Sequence, residues 1–201
     1  MSEEARPRGG RPRDTDLTER ILEEALRVLT ASGFAGLRIE QLAATVGCGK
    51  AAVYRRFSTP GELAAAAIAR TLPASAESVD SGDVVSDLIA INDEITSGLQ
   101  PDSDERNASG SLLSAMLAPE VRPHIWERYF AARRVRAREI IARGKERRQI
   151  SQDVDADDVI DALSGYSLYR SSMRGVGLED AHTRRIVQLL LGVSPDAPSP
   201  M

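Results

Sequence analysis

The stretch from Ile39 to Phe57 limits what this chain can fold into more than any other. Ile39, Leu42, Ala43 and Val46 recur at i, i+3, i+4 and i+7, the spacing of one apolar helix face, and Gly47 follows where a left-handed C-cap is wanted. A helix over these residues has to stop at Gly47. After Cys48 and Gly49 a second helical pattern runs from Lys50 to Phe57. In it Ala52, Val53 and Phe57 can face inward, while Lys50, Ala51, Tyr54, Arg55 and Arg56 lie on or beside the outer face. So short a link makes the two helices cross steeply, the arrangement of a helix-turn-helix whose second helix enters the DNA major groove.

A unit of about twenty residues buries too little apolar area to fold alone, so its neighbours must supply a core. From Asp14 to Thr30 a wide apolar stripe of Leu17, Ile21, Leu22, Ala25, Leu26 and Leu29 predicts a supporting helix, with Asp16 and Glu19 as a capping box and Gly33 as its end. Thr59, Pro60 and Glu62 carry the cap, first-position and third-position signals of a fourth helix, expected through Ala69 or a little beyond.

With those residues in place, the chain from Leu17 to Leu72 resembles the tetracycline-repressor (TetR) family of bacterial transcription regulators. The resemblance rests on Ile39, Leu42, Ala43, Val46, Gly47, Cys48, Gly49, Lys50, Ala51, Val53, Tyr54 and Phe57, and on the Gly33-Phe34 pair. Gly49 and Ala51 depart from the family's usual serine and glycine, and Arg38 stands where a capping Ser or Thr is common. The resemblance implies an all-α fold of about nine helices: an N-terminal three-helix helix-turn-helix DNA-binding head and a larger helical body for ligand binding and dimerisation. It further implies a dimer seam on the last two long helices and a small-molecule pocket among the central ones, whose ligand releases DNA.

For DNA reading, Tyr54 and Lys50 suit phosphate oxygens, and Arg55 suits a phosphate or a guanine edge. Gly49 and Ala51 permit close approach, and Arg38 and Arg56 complete the expected surface. The first 13 residues hold Arg8, Arg11 and Arg13 among prolines and glycines, and Gly10-Arg11-Pro12-Arg13 resembles the centre of an AT-hook, whose arginines fit the minor groove. A solubilising tail is the alternative for this arm. Charge agrees with a DNA-binding N-terminal part. The whole chain carries −4, but through Pro73 there are 11 basic and 9 acidic residues, against 15 and 21 beyond.

The expected organisation is a basic arm over 1–13, the DNA-binding head over 14–73, an effector-binding and dimerisation body over 74–194, and a flexible Pro-rich tail over 195–201. In the body a long helix from about Pro123 to Arg143 carries six arginines, expected to form a solvated face laced with ion pairs to Glu127, Glu139 and Glu146. Met116, Trp126, Tyr129, Phe130, Tyr166, Tyr169 and Met173 are the large adaptable side chains available to line a ligand pocket.

Other classes find less support. The single cysteine, Cys48, excludes an internal disulfide framework, and no run approaches the roughly 18 apolar residues of a membrane span, so a cytoplasmic protein is expected. The aspartates between 153 and 158 lack the glycine and terminal glutamate of a calcium loop, and no metal or cofactor is expected. A helical enzyme is an alternative with no catalytic constellation behind it, since only two histidines are present and there is no Gly-rich phosphate loop. An architectural DNA binder without an effector is the other. The expected partners are double-stranded DNA carrying a palindromic operator, a second copy of the chain in a homodimer, and an unidentified small-molecule effector, with no membrane.

Overall fold

The computed structural model describes residues 14–73, 79–97 and 106–194, and every regular element among them is helical. The basic arm with Arg8, Arg11 and Arg13 and the tail over 195–201 lie outside the described residues. Helix α1 (Asp14–Ser32) leads through a short 3-10 turn (Phe34–Gly36) to α2 (Ile39–Val46) and α3 (Lys50–Tyr54), followed by α4 (Pro60–Ala69). The body holds α5 (Val84–Ser97), α6 (Arg106–Leu117), α7 (Arg122–Ile125), α8 (Ala131–Glu146), α9 (Ala156–Leu168) and α10 (Asp180–Leu191). A π-helical turn, Trp126–Phe130, joins α7 to α8, so 122–146 is one helix with an extra residue in a turn; a second, Tyr169–Met173, extends α9.

The ends of these helices follow local chemistry. Thr59 Oγ1 accepts the Glu62 N–H at 3.0 Å, and the Glu62 carboxylate accepts the Ser58 N–H at 2.8 Å, which starts α4 as its residues suggest. Asp155 caps α9 by accepting the N–H groups of Asp157 and Asp158 at 2.8 and 3.0 Å, so the aspartate run serves a helix N-terminus. The Asp16 capping box is corrected: Asp16 stands inside α1, not at its start.

Two apolar cores form. The first joins Ile21, Ala25 and Leu29 of α1, Leu42 and Val46 of α2, Val53 of α3 and Leu63, Ala64 and Ile68 of α4 to Ala115, Met116, Val121, Ile125 and Tyr129. The head thus closes its core with residues from α6, α7 and the first π-helical turn. The contact is close enough to need glycine: a Cβ at Gly61 of α4 would lie 2.0 Å from the Glu120 carbonyl oxygen in the turn before α7. The second core joins α5, α8, α9 and α10 through Leu88, Ile91, Ile140, Ile141, Val159, Leu163, Val187 and Leu191.

The arginines of the long helix depart from the expected solvated face. Their partners are on other elements, not at Glu127, Glu139 or Glu146. Arg136 bonds both oxygens of Glu94 on α5 at 2.8 and 2.9 Å, Arg134 pairs with Asp157 and Asp161 on α9 at 2.9 and 2.5 Å, and Arg147 grips Asp80 at 2.6 and 2.9 Å. Arg133 is only 3% exposed. Its guanidinium lies 3.5 Å from the Tyr129 ring centroid, pairs with Glu94 at 2.8 Å, and donates to the carbonyls of Tyr129 at 3.0 Å and Pro73 at 2.5 Å. A planar fork can serve several acceptors in a fixed arrangement, so here the charges tie helices together.

Candidate nucleic-acid interface and effector cavity

Backbone bonds close the turn between α2 and α3. Gly47 adopts φ 76°, and the N–H groups of Gly47 and Cys48 reach back to the carbonyls of Ala44 and Ala43 at 3.1 and 2.9 Å. This double bond pattern with a left-handed residue ends α2 within one residue and sets the direction of α3. Arg20 of α1 also donates to the Val46 carbonyl and covers the end of α2. Gly49 precedes α3 in extended conformation without a side-chain cap, and helical bonding continues past Tyr54, with the Phe57 N–H on the Val53 carbonyl at 3.0 Å.

This geometry sorts the side chains. Val53 and Phe57 are buried, whereas Arg38, Gly49, Lys50, Ala51, Tyr54 and Arg55 are exposed, a contiguous set at the start of α2 and along the outer side of α3. Tyr54 is 47% exposed. Two cations carry prior contacts. Lys50 pairs with Glu40 at 2.9 Å, and that bond lowers the Glu40 carboxyl below its ordinary range and raises the Lys50 ammonium above its own. Arg56 is half-buried and turned onto α1, donating to Thr18 Oγ1 at 2.9 Å and to the Ala52 carbonyl at 2.8 Å. Named from the sequence as part of the outer surface, it serves inside the fold.

Where the two cores meet there is a cavity of about 310 Å³. It is lined by Leu88, Ile91 and Asn92 of α5, Leu113 and Met116 of α6, Ile125, Trp126 and Phe130, Arg133, Arg134 and Ala137 of α8, and Val159, Leu163, Ser167 and Leu168 of α9. The wall is mainly apolar, with a few polar groups. Asn92 Oδ1 accepts from Ser167 Oγ at 2.8 Å, both residues 3% exposed. The neighbouring Asp93 carboxyl is pushed up by burial first and by Asp180 second, with the Asn92 amide opposing only weakly.

Comparison with known proteins decides what this arrangement belongs to. A family model described as the tetracyclin repressor-like C-terminal domain matches residues 78–190, more than half of the chain, and one described as bacterial regulatory proteins of the tetR family matches residues 21–67. The chain belongs to the TetR family. Its relatives include the HTH-type transcriptional regulator YdeS of Bacillus subtilis, 24% identical over 89% of both chains, and the HTH-type transcriptional regulator AqdR of Rhodococcus erythropolis, 27% identical over 86% of this chain and 83% of that one. Among solved structures, the TetR family transcription regulator SCO0332 is 27% identical and superposes with a TM-score of 0.58 over 90% of this chain and all of that one. The protein is a DNA-binding transcriptional regulator of TetR type, all-helical, with its helix-turn-helix in the N-terminal part.

In this TetR-family regulator the large side chains named as pocket candidates separate into two groups. Met116, Trp126 and Phe130 stand on the cavity wall. Tyr129 is buried in the first core, with its ring edge-on to Phe130, while Tyr166 lies half-buried and Tyr169 and Met173 are 56% and 78% exposed; none of these four lines the cavity. The sequence reading missed Asn92, Ser167 and Arg133 on the wall and Glu40 beside Lys50. A polar residue inside an apolar helix pattern, as at Asn92 between Ile91 and Ile95, is the signal that could have found the first.

Proposed function

We propose that the protein is a repressor that binds a palindromic operator as a homodimer and leaves it when a small molecule fills the cavity between the cores. The observation that carries this reading is that cavity. Its wall takes residues from both the core that steadies α3 and the core of the body, so an occupant bears on both at once. An architectural DNA binder has no use for it. The head over 14–73 presents Tyr54, Lys50 and Arg38 to phosphates and Arg55 to a base edge, with Gly49 and Ala51 admitting the duplex; Lys50 exchanges Glu40 for phosphate on binding, and Arg56 contributes by holding α3 against α1. The arm arginines Arg8, Arg11 and Arg13 add minor-groove contacts. Within the body over 74–194, the exposed Leu168, Tyr169, Met173 and Leu189 on and after α9 and on α10 are the surface a second copy covers. No catalytic step is assigned to the protein, and it acts in the cytoplasm.

The experiment is binding of the full chain to the DNA upstream of its own coding sequence at several salt concentrations, beside a Tyr54→Ala, Arg55→Ala variant. Wild type is expected to protect one palindromic segment, and the variant to bind it roughly 100-fold more weakly, from two lost contacts of about 1–3 kcal/mol each. Equal binding by the two proteins, or equal binding to scrambled DNA, refutes the assignment of α3.

A further inference from the structure

From 38 to 57 the chain carries four cations, Arg38, Lys50, Arg55 and Arg56, and a single acid, Glu40. An acid in the first turn of α2 suits the helix dipole, which accounts for a carboxylate there but not for its reach. The Glu40 carboxylate extends across the turn to Lys50 Nζ at 2.9 Å, ten residues on, and the two side chains are 63% and 55% exposed. The Lys50 bond first, then the residue's own backbone N–H, and last the Arg38 charge hold the carboxyl below its ordinary range. Glu40 is therefore an ionised, exposed acid beside two cations of the outward surface.

A carboxylate so placed has few partners in a duplex. Phosphate oxygens repel it, and N7 and O6 of guanine and O4 of thymine are acceptors like itself. On the major-groove edges the only donors are amino groups, N4 of cytosine and N6 of adenine. While Lys50 stays on Glu40, the negative charge is answered. Once Lys50 moves to a phosphate it is not, and the duplex must supply a donor or bear the repulsion.

Resting on the DNA-binding reading above, we propose that Glu40 is a specificity-determining residue. Its carboxylate reads one base pair in each half-site by accepting from the amino group of cytosine or adenine, and it rejects sites that place guanine O6 or thymine O4 there. Lys50 links this readout to phosphate binding: it holds the carboxylate in the free protein and releases it when the duplex is seated. Discrimination of this kind works by repulsion from the wrong base as much as by contact with the right one.

The test uses the palindromic segment protected in the upstream DNA, with each base pair of one half-site inverted in turn. Binding of the full-length wild type and of Glu40→Ala to each duplex is measured by fluorescence anisotropy. Alanine removes both acceptor oxygens at an exposed helical position, so folding is not at stake. At one base pair, inversion is expected to weaken wild type about tenfold and Glu40→Ala about twofold or less, with the other positions keeping their ranking in both proteins. A residue that only steadied α2 would shift every duplex by the same factor and leave the inversion profile unchanged. Identical profiles for the two proteins therefore overturn the role of Glu40 and leave the reading of α3 intact, provided that Tyr54→Ala, Arg55→Ala still loses the segment. A wild type that protects no segment overturns both.

Discussion

Gly61→Ala puts one methyl group into the joint between head and body. The added Cβ would stand 2.0 Å from the Glu120 carbonyl oxygen and 2.7 Å from its carbon, against a floor of 3.0 Å for such contacts, so α4 and the turn before α7 must part by at least 1.0 Å. Because the obstacle is backbone, no rotamer change relieves it. Separations of this size forfeit a quarter to a half of each dispersion contact across the gap, and overpacking of a tight core costs about 1–3 kcal/mol. The joint includes Leu63, Ala64, Val121 and Ile125, all within 2% of full burial, which places the cost near the upper end of that range. Alanine's better helix propensity returns at most about 1 kcal/mol. The net loss of about 2 kcal/mol corresponds to a Tm roughly 4–8 °C lower for a domain of this size, read by circular dichroism on heating. A Gly61→Ala protein as stable as wild type, or more stable, would show that α4 and α7 do not approach as described and would remove the joint from any account of how the cavity reaches α3.

Arg133→Met removes a buried fork while Glu94 keeps Arg136, and it leaves the Pro73 carbonyl without its donor; a loss of about 3 kcal/mol in urea unfolding is expected, and a change under about 0.5 kcal/mol would refute the bracing role. Arg133→Lys should recover only part of it, since an ammonium cannot reach all three acceptors in one plane. Asp80 supplies a pH test. Arg147 first, and Arg143 further off, hold its carboxyl down to about 2, so the bond supports the fold fully above the ordinary carboxylate value of 3.8 and is lost as pH falls toward 2. Wild type should therefore melt above Asp80→Asn at pH 6, with the gap closing between about pH 4 and pH 2; a gap unchanged by acid would refute the assignment.

The outward side of α3 could be read before any coordinates because its information is local. Gly47 is left-handed for a reason confined to four residues, the Thr59 and Glu62 cap spans four more, and the inward Val53 and Phe57 follow from helix periodicity within one turn. Arg56 was harder to place. A residue at its position can turn to solvent or back to the preceding helix, and Thr18, 38 residues earlier, decides it. The body was legible as helices but not as a site. Its arginines looked like a solvated face because charge interleaving within one helix says nothing about carboxylates on the next.

Helical phase is one thing that the sequence does not carry. Each π-helical turn inserts a residue into a 3.6-residue period and so shifts the faces beyond it by roughly 100°, and the two such turns lie at Trp126–Phe130 and Tyr169–Met173, within the aromatic stretches from which the pocket was to be drawn. Residue spacing and capping, acting over one or two helical turns, were enough to specify an all-helical TetR-type regulator and the outward set on α3. Which of seven similar side chains meet around a cavity, and that Asn92 and Arg133 belong to its wall, depended on how helices far apart in the chain pack, because a cavity is bounded by partners that no single stretch of sequence contains.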